Sequence, residues 1–136
     1  MSQPEQRQQP VPVADNYVLV VDDNPVIRQI YRRALAQQQL TVVEAESGTR
    51  AMTLMERTRP GYVVLDLMML DMDGFEFLKR IRRRPEWEQV PVAVLSAKPL
   101  TDQERAFLTA NAQHYQRKSE VACAEVAALV GKAMKP

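Results

Sequence analysis

Four of the five short strand-like runs in this 136-residue chain are followed at once by a polar residue able to do chemistry. Asp22 and Asp23 follow the first run, Asp66 the third, Ser96 the fourth and Lys118 the fifth. Three carboxylates converging within about 4 Å would repel by roughly 4 kcal/mol per pair at an effective dielectric near 20, so a cation must sit among them. Lys118 supplies one positive charge, and the remaining excess calls for a hard divalent ion with oxygen ligands. Mg²⁺ is the natural candidate, because it keeps several waters and shares a phosphate oxygen with only one or two carboxylates. Aspartates, Mg²⁺, a lysine and a hydroxyl form a set suited to phosphoryl transfer, where the protein mainly positions groups and neutralises charge on the equatorial oxygens. An aspartate can itself be the nucleophile and form an acyl phosphate. Asp66, alone at the end of the most apolar run, is the candidate for that role.

The elements that must position these groups are legible in the alternation of short apolar runs with longer amphipathic stretches. The spacing predicts strands over Tyr17–Val21, Thr41–Ala45, Tyr62–Leu65, Pro91–Leu95 and His114–Arg117. Ile27, Ile30, Tyr31, Ala34 and Leu35 share one face of a first helix capped by Asn24, with Pro25 at its first position. Ala51, Leu54 and Met55 mark a second helix that ends before Pro60-Gly61, and Phe77, Leu78 and Ile81 mark a third that ends in Arg82, Arg83 and Arg84. Those arginines suit the negative end of a helix dipole better than a nucleic-acid patch, since no aromatic residues interleave with them. Thr101-Asp102-Gln103-Glu104 reads as a capping box for a fourth helix burying Ala106, Phe107 and Ala110. Ser119 caps a fifth, with Ala122, Val126, Leu129 and Val130 on one face. The order βαβαβαβαβα implies a doubly wound α/β fold, a five-stranded parallel sheet covered on both faces, with the first and third strands in its middle. In such sheets the ligand crevice lies outside the carboxyl ends of the strands, where all five candidate residues fall.

Length, charge and cysteine content exclude several other classes. The length suits one domain able to bury its own core. Residues 1–15, with three prolines, four glutamines and no aromatic residue, read as a flexible tail before a domain over 16–136. Lysines and arginines number 18 against 17 acids, so no net field demands nucleic acid or an anionic membrane as partner. Cys123 is the single cysteine, which leaves no internal disulfide or cysteine metal site. No apolar run approaches membrane-spanning length and no signal peptide opens the chain, so a cytoplasmic location is expected. His114 lies beside a short strand rather than on an exposed helix face, which does not suit a phosphohistidine. Met68, Met69 and Met72 read as loop packing, because thioethers suit soft ions.

Four segments in order resemble the response-regulator receiver family of two-component signalling. They are Val-Leu-Val-Val-Asp-Asp-Asn (18–24), Val-Val-Leu-Asp-Leu-Met-Met (63–69) with Asp-Met-Asp-Gly (71–74), Val-Leu-Ser-Ala (94–97) and Tyr-Gln-Arg-Lys (115–118). The intervals from Asp66 to Ser96 and from Ser96 to Lys118 also match, and the likeness runs from Tyr17 to Met134. The resemblance implies a flavodoxin-like (βα)5 fold with strand order 2-1-3-4-5 and a signalling module rather than an enzyme. It implies phosphorylation of Asp66, with Mg²⁺ on Asp23, Asp66 and the backbone carbonyl of Met68, and Asp22 acting through a coordinated water. Ser96, Ala97, Tyr115 and Lys118 become the phosphoryl-contacting and switch set. Lys118 pairs with the phosphoryl group, Ser96 donates to a phosphoryl oxygen, and Tyr115 turns inward as Ser96 moves. The helix 4, strand 5 and helix 5 surface then addresses an effector protein or a second copy, so a monomer or weak homodimer is expected. The donor is a histidine kinase or a phosphotransfer protein.

Two positions depart from the family. Leu70 and Ser119 stand where proline usually follows the phosphoacceptor and the lysine. The first loosens the loop after strand 3. The second removes a cis peptide bond and leaves the loop carrying Lys118 less rigidly placed. Two other readings compete. Asp71-Met72-Asp73-Gly74 resembles the aspartate motif of haloacid-dehalogenase-type phosphatases, but it does not directly follow a strand and Phe75 replaces a small or β-branched residue. A receiver-like docking module that no longer takes phosphate would be signalled by loss of Asp66 or Lys118, and both are present. Asp71 and Asp73 then read as turn and cap residues before helix 3.

Overall fold

The computed structural model describes residues 12–69 and 71–135. Their elements run β1 (Val18–Val21), α1 (Pro25–Ala36), β2 (Val42–Ala45), α2 (Gly48–Arg57), β3 (Tyr62–Asp66), α3 (Gly74–Arg83), β4 (Val92–Ser96), α4 (Asp102–Asn111), β5 (His114–Arg117) and α5 (Glu120–Met134). The five strands form one parallel sheet in the order β2-β1-β3-β4-β5, the order that the family resemblance implies. β1, β3 and β4 are buried along their whole length, as strands covered on both faces must be.

Successive residues of each strand feed opposite layers. Leu19, Val21, Val63 and Leu65 pack with Leu54 and Met55 of α2 and with Phe77, Leu78 and Ile81 of α3. Val18, Val20, Tyr62 and Val64 pack with Tyr31 and Leu35 of α1 and with Val126 and Val130 of α5. Burying each such side chain stabilises the fold by roughly 1.5–3 kcal/mol.

The helix starts agree with their sequence signals. Asn24 Oδ1 accepts from the N–H groups of Val26 (2.9 Å) and Ile27 (3.4 Å), with Pro25 at the first turn. Asp73 and Ser119 cap α3 and α5, and the box formed by Thr101 and Glu104 closes on α4. Arg82 donates to the carbonyl oxygens of Asn111, Trp87 and Glu88, while Arg84 pairs with Glu56 and Glu86 and covers the buried Trp87 ring at 3.9 Å. Both are committed to closing the end of α3.

The buried face of α4 differs from expectation. Ala106 and Ala110 are exposed and Phe107 is half-buried, while Leu108 is fully buried. An alanine methyl is too short to choose a face, and the leucine side chain that reaches the sheet decides the rotation of the helix. Phe107 instead leans on Phe75 of α3, with ring centroids 6.0 Å apart. In α5, Leu129 is only half-buried, and Cys123 and Ala127 complete the packed row. Asp15, inside the segment expected to be a tail, is held by Arg59 through two side-chain bonds of 2.8 and 2.7 Å, while residues 1–11 lie outside the described residues.

One ion cluster on this frame should report on pH. Glu44 of β2 is gripped by Arg28 (2.9 Å) and Arg32 (2.7 Å) of α1. Burial raises the Glu44 carboxyl, but the two guanidiniums outweigh it and hold the group below its ordinary 4.5. A depressed acid contributes stability that is present above its unfolded value and disappears as pH falls through the folded one. Glu44→Gln should therefore cost about 1 kcal/mol at pH 7, given partial solvent screening. In urea titrations the gap from wild type should close as pH drops below 4.5. A gap that persists unchanged at pH 3 would show that shape, and not charge, sets the cost.

Candidate phosphoacceptor site

The sheet register brings the candidate residues level. Val21 lies opposite Leu65, Asp66 opposite Leu95 and Ser96 opposite Arg117, so the polar residues at or just beyond these ends share one rim. Backbone bonds stitch that rim together: Asp22 N–H to Ala45 O (3.1 Å), Leu67 N–H to Leu95 O (3.2 Å) and Lys118 N–H to Ser96 O (2.8 Å). Arg28 reaches back from α1 to the Asp22 carbonyl at 2.8 Å, and Asp22 Oδ1 accepts the Asn24 N–H at 2.9 Å. The two bonds hold both the main chain and the side chain of Asp22. Nothing local in the sequence singled Arg28 out, since its partner lies on the preceding strand end.

Asp22, Asp23 and Asp66 converge, with one carboxylate oxygen from each lying within 4.8 Å of the others. Asp22 and Asp66 are almost fully buried, at 4% and 3% exposure, and Asp23 faces solvent. Lys118 Nζ bridges the buried pair, 2.9 Å from Asp22 and 3.4 Å from Asp66. Burial pushes the Asp66 carboxyl up to about 6 and the Asp22 charge adds to this, against the opposing pull of Lys118 and the Met68 N–H. Burial alone would lower the Lys118 ammonium, but the carboxylates of Asp22 and Asp66 outweigh it and raise it. Among the described residues, Asp66 Oδ1 is buried without a hydrogen-bond partner. A bare carboxylate oxygen in an all-oxygen donor set, with one cation against three carboxylates, fits a hard divalent ion such as Mg²⁺.

Ser96 lies on the same rim, directly after Leu95, which pairs with Asp66. Ser96 is buried, and its hydroxyl donates to the Lys98 carbonyl at 2.8 Å while accepting from the Lys98 N–H at 3.3 Å. Ala97 is exposed at the next position. Tyr115 is half-buried, with its hydroxyl 3.5 Å from Thr109 Oγ1 of α4. Met68 is half exposed in the loop after β3, and Leu70 lies outside the described residues. The loop carrying Lys118, expected to sit loosely for want of a proline, is tied at both ends by the Lys118 bonds and by the Ser119 cap on α5. No peptide bond among the described residues is cis.

Asp71 lies in the bend before α3, as expected, and it has a second role there. Its carboxylate accepts from the N–H groups of Gly48 (3.3 Å) and Thr49 (3.1 Å), at the start of α2. The sequence held one indirect sign of this, because the first turn of α2 contains no acidic residue of its own.

Known proteins carry the same architecture. The family model described as the response regulator receiver domain matches residues 18–128. An uncharacterized 14.6 kDa protein in the sodA1 3' region of Leptolyngbya boryana is 35% identical over 101 residues, covering 74% of this chain and 77% of that protein. The KDP operon transcriptional regulatory protein KdpE of Escherichia coli is 38% identical over 101 residues, and the chain spans only 44% of its length. The crystal structure of the N-terminal domain of a response regulator receiver protein from Methanoculleus marisnigri superposes with a TM-score of 0.71 at 34% identity, covering 83% of this chain and 92% of that domain. A match that begins at β1 and runs well into α5, on this sheet order, shows that the chain belongs to the response regulator receiver domains of two-component signalling.

Proposed function

We propose that Asp66 accepts a phosphoryl group from a phosphohistidine on a histidine kinase or phosphotransfer protein, with residues 16–136 as the receiver unit. What carries the reading is the convergence of three aspartates, two of them paired with one lysine, with a buried Asp66 oxygen left unpaired. The new O–P bond forms at an Asp66 carboxylate oxygen as the N–P bond of the donor breaks, and the departing imidazole takes a proton from solvent. Asp22, Asp23, Asp66 and the Met68 carbonyl would hold Mg²⁺, which when bound supplies positive charge against the phosphoryl oxygens. Lys118, already beside Asp66, counters a further phosphoryl oxygen. The elevated Asp66 carboxyl is the cost of keeping the nucleophile in a dry site, and the cations about it restore the ionised form.

Signalling follows from Ser96. To meet the phosphoryl group its hydroxyl must leave the Lys98 carbonyl, and the space it vacates admits the Tyr115 ring, in line with the exposed Ala97. The surface of α4, β5 and α5 then changes and controls an effector protein. The reading places the protein in the cytoplasm, as a monomer or weak homodimer without direct nucleic-acid or membrane contact. Among the described residues no helix is long and apolar enough to cross a membrane.

Intact mass after incubation with acetyl phosphate, with and without Mg²⁺, tests this. One phosphoryl group gained only with Mg²⁺, and not by Asp66→Asn, is the expected result. No gain under any condition would replace it with the docking-module reading. Lys118→Ala should still take up phosphate but lose its coupling to the switch surface, read as unchanged Tyr115 signals on phosphorylation. Equal loss of uptake in Asp66→Asn and Lys118→Ala would contradict that division of labour.

A further inference from the structure

The loop between Asp66 and Gly74 has to hold Met68 against the acidic centre, yet it contains no proline to stiffen it. Its base is pinched by the Gly74 N–H, which donates to the Leu67 carbonyl at 2.9 Å. Its far side is secured by Asp71, whose two carboxylate oxygens each accept one of two successive amides at the start of α2, Gly48 and Thr49. Met72 lies directly over Gly48 beside this fork. The bonds of Thr49, through both its side chain and its N–H, together with those of Met72 and Gly48, outweigh slight burial and keep the Asp71 carboxyl below the usual range. Ser47, the local cap of α2, serves a different amide, that of Arg50 at 3.0 Å. The helix thus has two independent caps, and only one of them belongs to the loop of the acidic centre.

We propose that Asp71 is a positioning residue for the phosphoacceptor site: by clamping the β3–α3 loop to the N-terminus of α2, it holds the Met68 backbone where the divalent ion needs it. The inference rests on the reading of Asp22, Asp23, Asp66 and Met68 as the Mg²⁺ site. Groups that orient ligands without touching the ion commonly change metal affinity by about 10–100-fold when removed. Asp71→Ala frees the loop while leaving every ligand in place. Asp71→Asn keeps one acceptor oxygen and so should recover part of the effect. Ser47→Ala loosens the same helix end by a comparable amount and leaves the loop clamped.

The test is Mg²⁺ titration of the unphosphorylated full chain, followed by amide NMR shifts, for wild type and these three variants, with urea stability measured in parallel. Wild type should bind. Asp71→Ala should bind about tenfold more weakly, Asp71→Asn should fall between the two, and Ser47→Ala should match wild type despite a similar loss of stability. Wild-type affinity in Asp71→Ala, or equal weakening in Ser47→Ala, would overturn the positioning role while leaving the metal site intact. Failure of wild type itself to bind Mg²⁺ would remove the metal-site reading and the positioning role together, and that outcome is visible before any variant is made.

Discussion

Asp66→Asn is expected to abolish phosphoryl uptake and, at the same time, to make the metal-free protein more stable at neutral pH. The wild-type carboxyl is nearly buried, faces the Asp22 charge and is pushed up to about 6 from an ordinary 3.8. An acid whose folded value is raised contributes stability that is full below the unfolded value and is lost as pH rises through the folded one. Above pH 6 the wild type therefore carries the cost of a buried, repelled carboxylate. At about 1.4 kcal/mol per pH unit this is on the order of 2–3 kcal/mol. Asparagine removes the charge at nearly constant volume, and Lys118 keeps its closer partner, Asp22. A net gain of roughly 2 kcal/mol, several degrees in melting temperature, should follow without metal. The gain should shrink as pH falls toward 4, and it should shrink again on adding Mg²⁺, because binding stabilises the wild type more than the variant. Thermal unfolding of both proteins at pH 7.5 and 4.5, with and without Mg²⁺, checks all three signs. A variant less stable than wild type at pH 7.5 without metal would mean that the Lys118 ion pair outweighs the burial.

Gly74→Ala should be among the most damaging single-methyl changes in the chain. A Cβ at this position would stand 2.7 Å from the Leu67 Cα and 2.8 Å from the Asp66 carbonyl oxygen, both of them backbone. Neither atom can swing aside as a side-chain end can, so the loop must move and the bond from the Gly74 N–H to the Leu67 carbonyl stretches or breaks. A loss of about 2–4 kcal/mol is expected, together with slower phosphoryl uptake if Asp66 is the acceptor, since the displaced backbone carries Asp66. Gly131→Ala is the internal control. The three atoms nearest to the new methyl there all belong to the amide end of Gln38, which can rotate away at the cost of one bond to the Ala127 carbonyl, about 1 kcal/mol. Urea unfolding of the two variants should separate them clearly. Similar losses would show that the β3–α3 loop yields more easily than its packing indicates.

Much of this site was legible before any coordinates. Asp22, Asp23, Asp66 and Ser96 each follow a run of apolar residues and Lys118 follows the weaker stretch His114–Arg117, and parallel strands joined by crossover helices must deliver their carboxyl ends to one rim. Caps at Asn24, Asp73, Thr101 and Ser119 were equally readable, because a cap and the amide it serves lie within three residues of each other. The rotation of α4 was not, since Ala106 and Ala110 carry too little surface to outvote Leu108, whose pull depends on the sheet beneath it. The fork of Asp71 on Gly48 and Thr49, the reach of Arg28 to the Asp22 carbonyl and the unpaired Asp66 oxygen were also out of sight. By itself the sequence determined which polar residues would stand together and at which end of the sheet, because hydrophobic periodicity and capping act over a single turn or strand. Only the tertiary structure decided how those residues are held and charged, because burial and the bonds of a loop to a distant helix end arise when chain-remote segments meet.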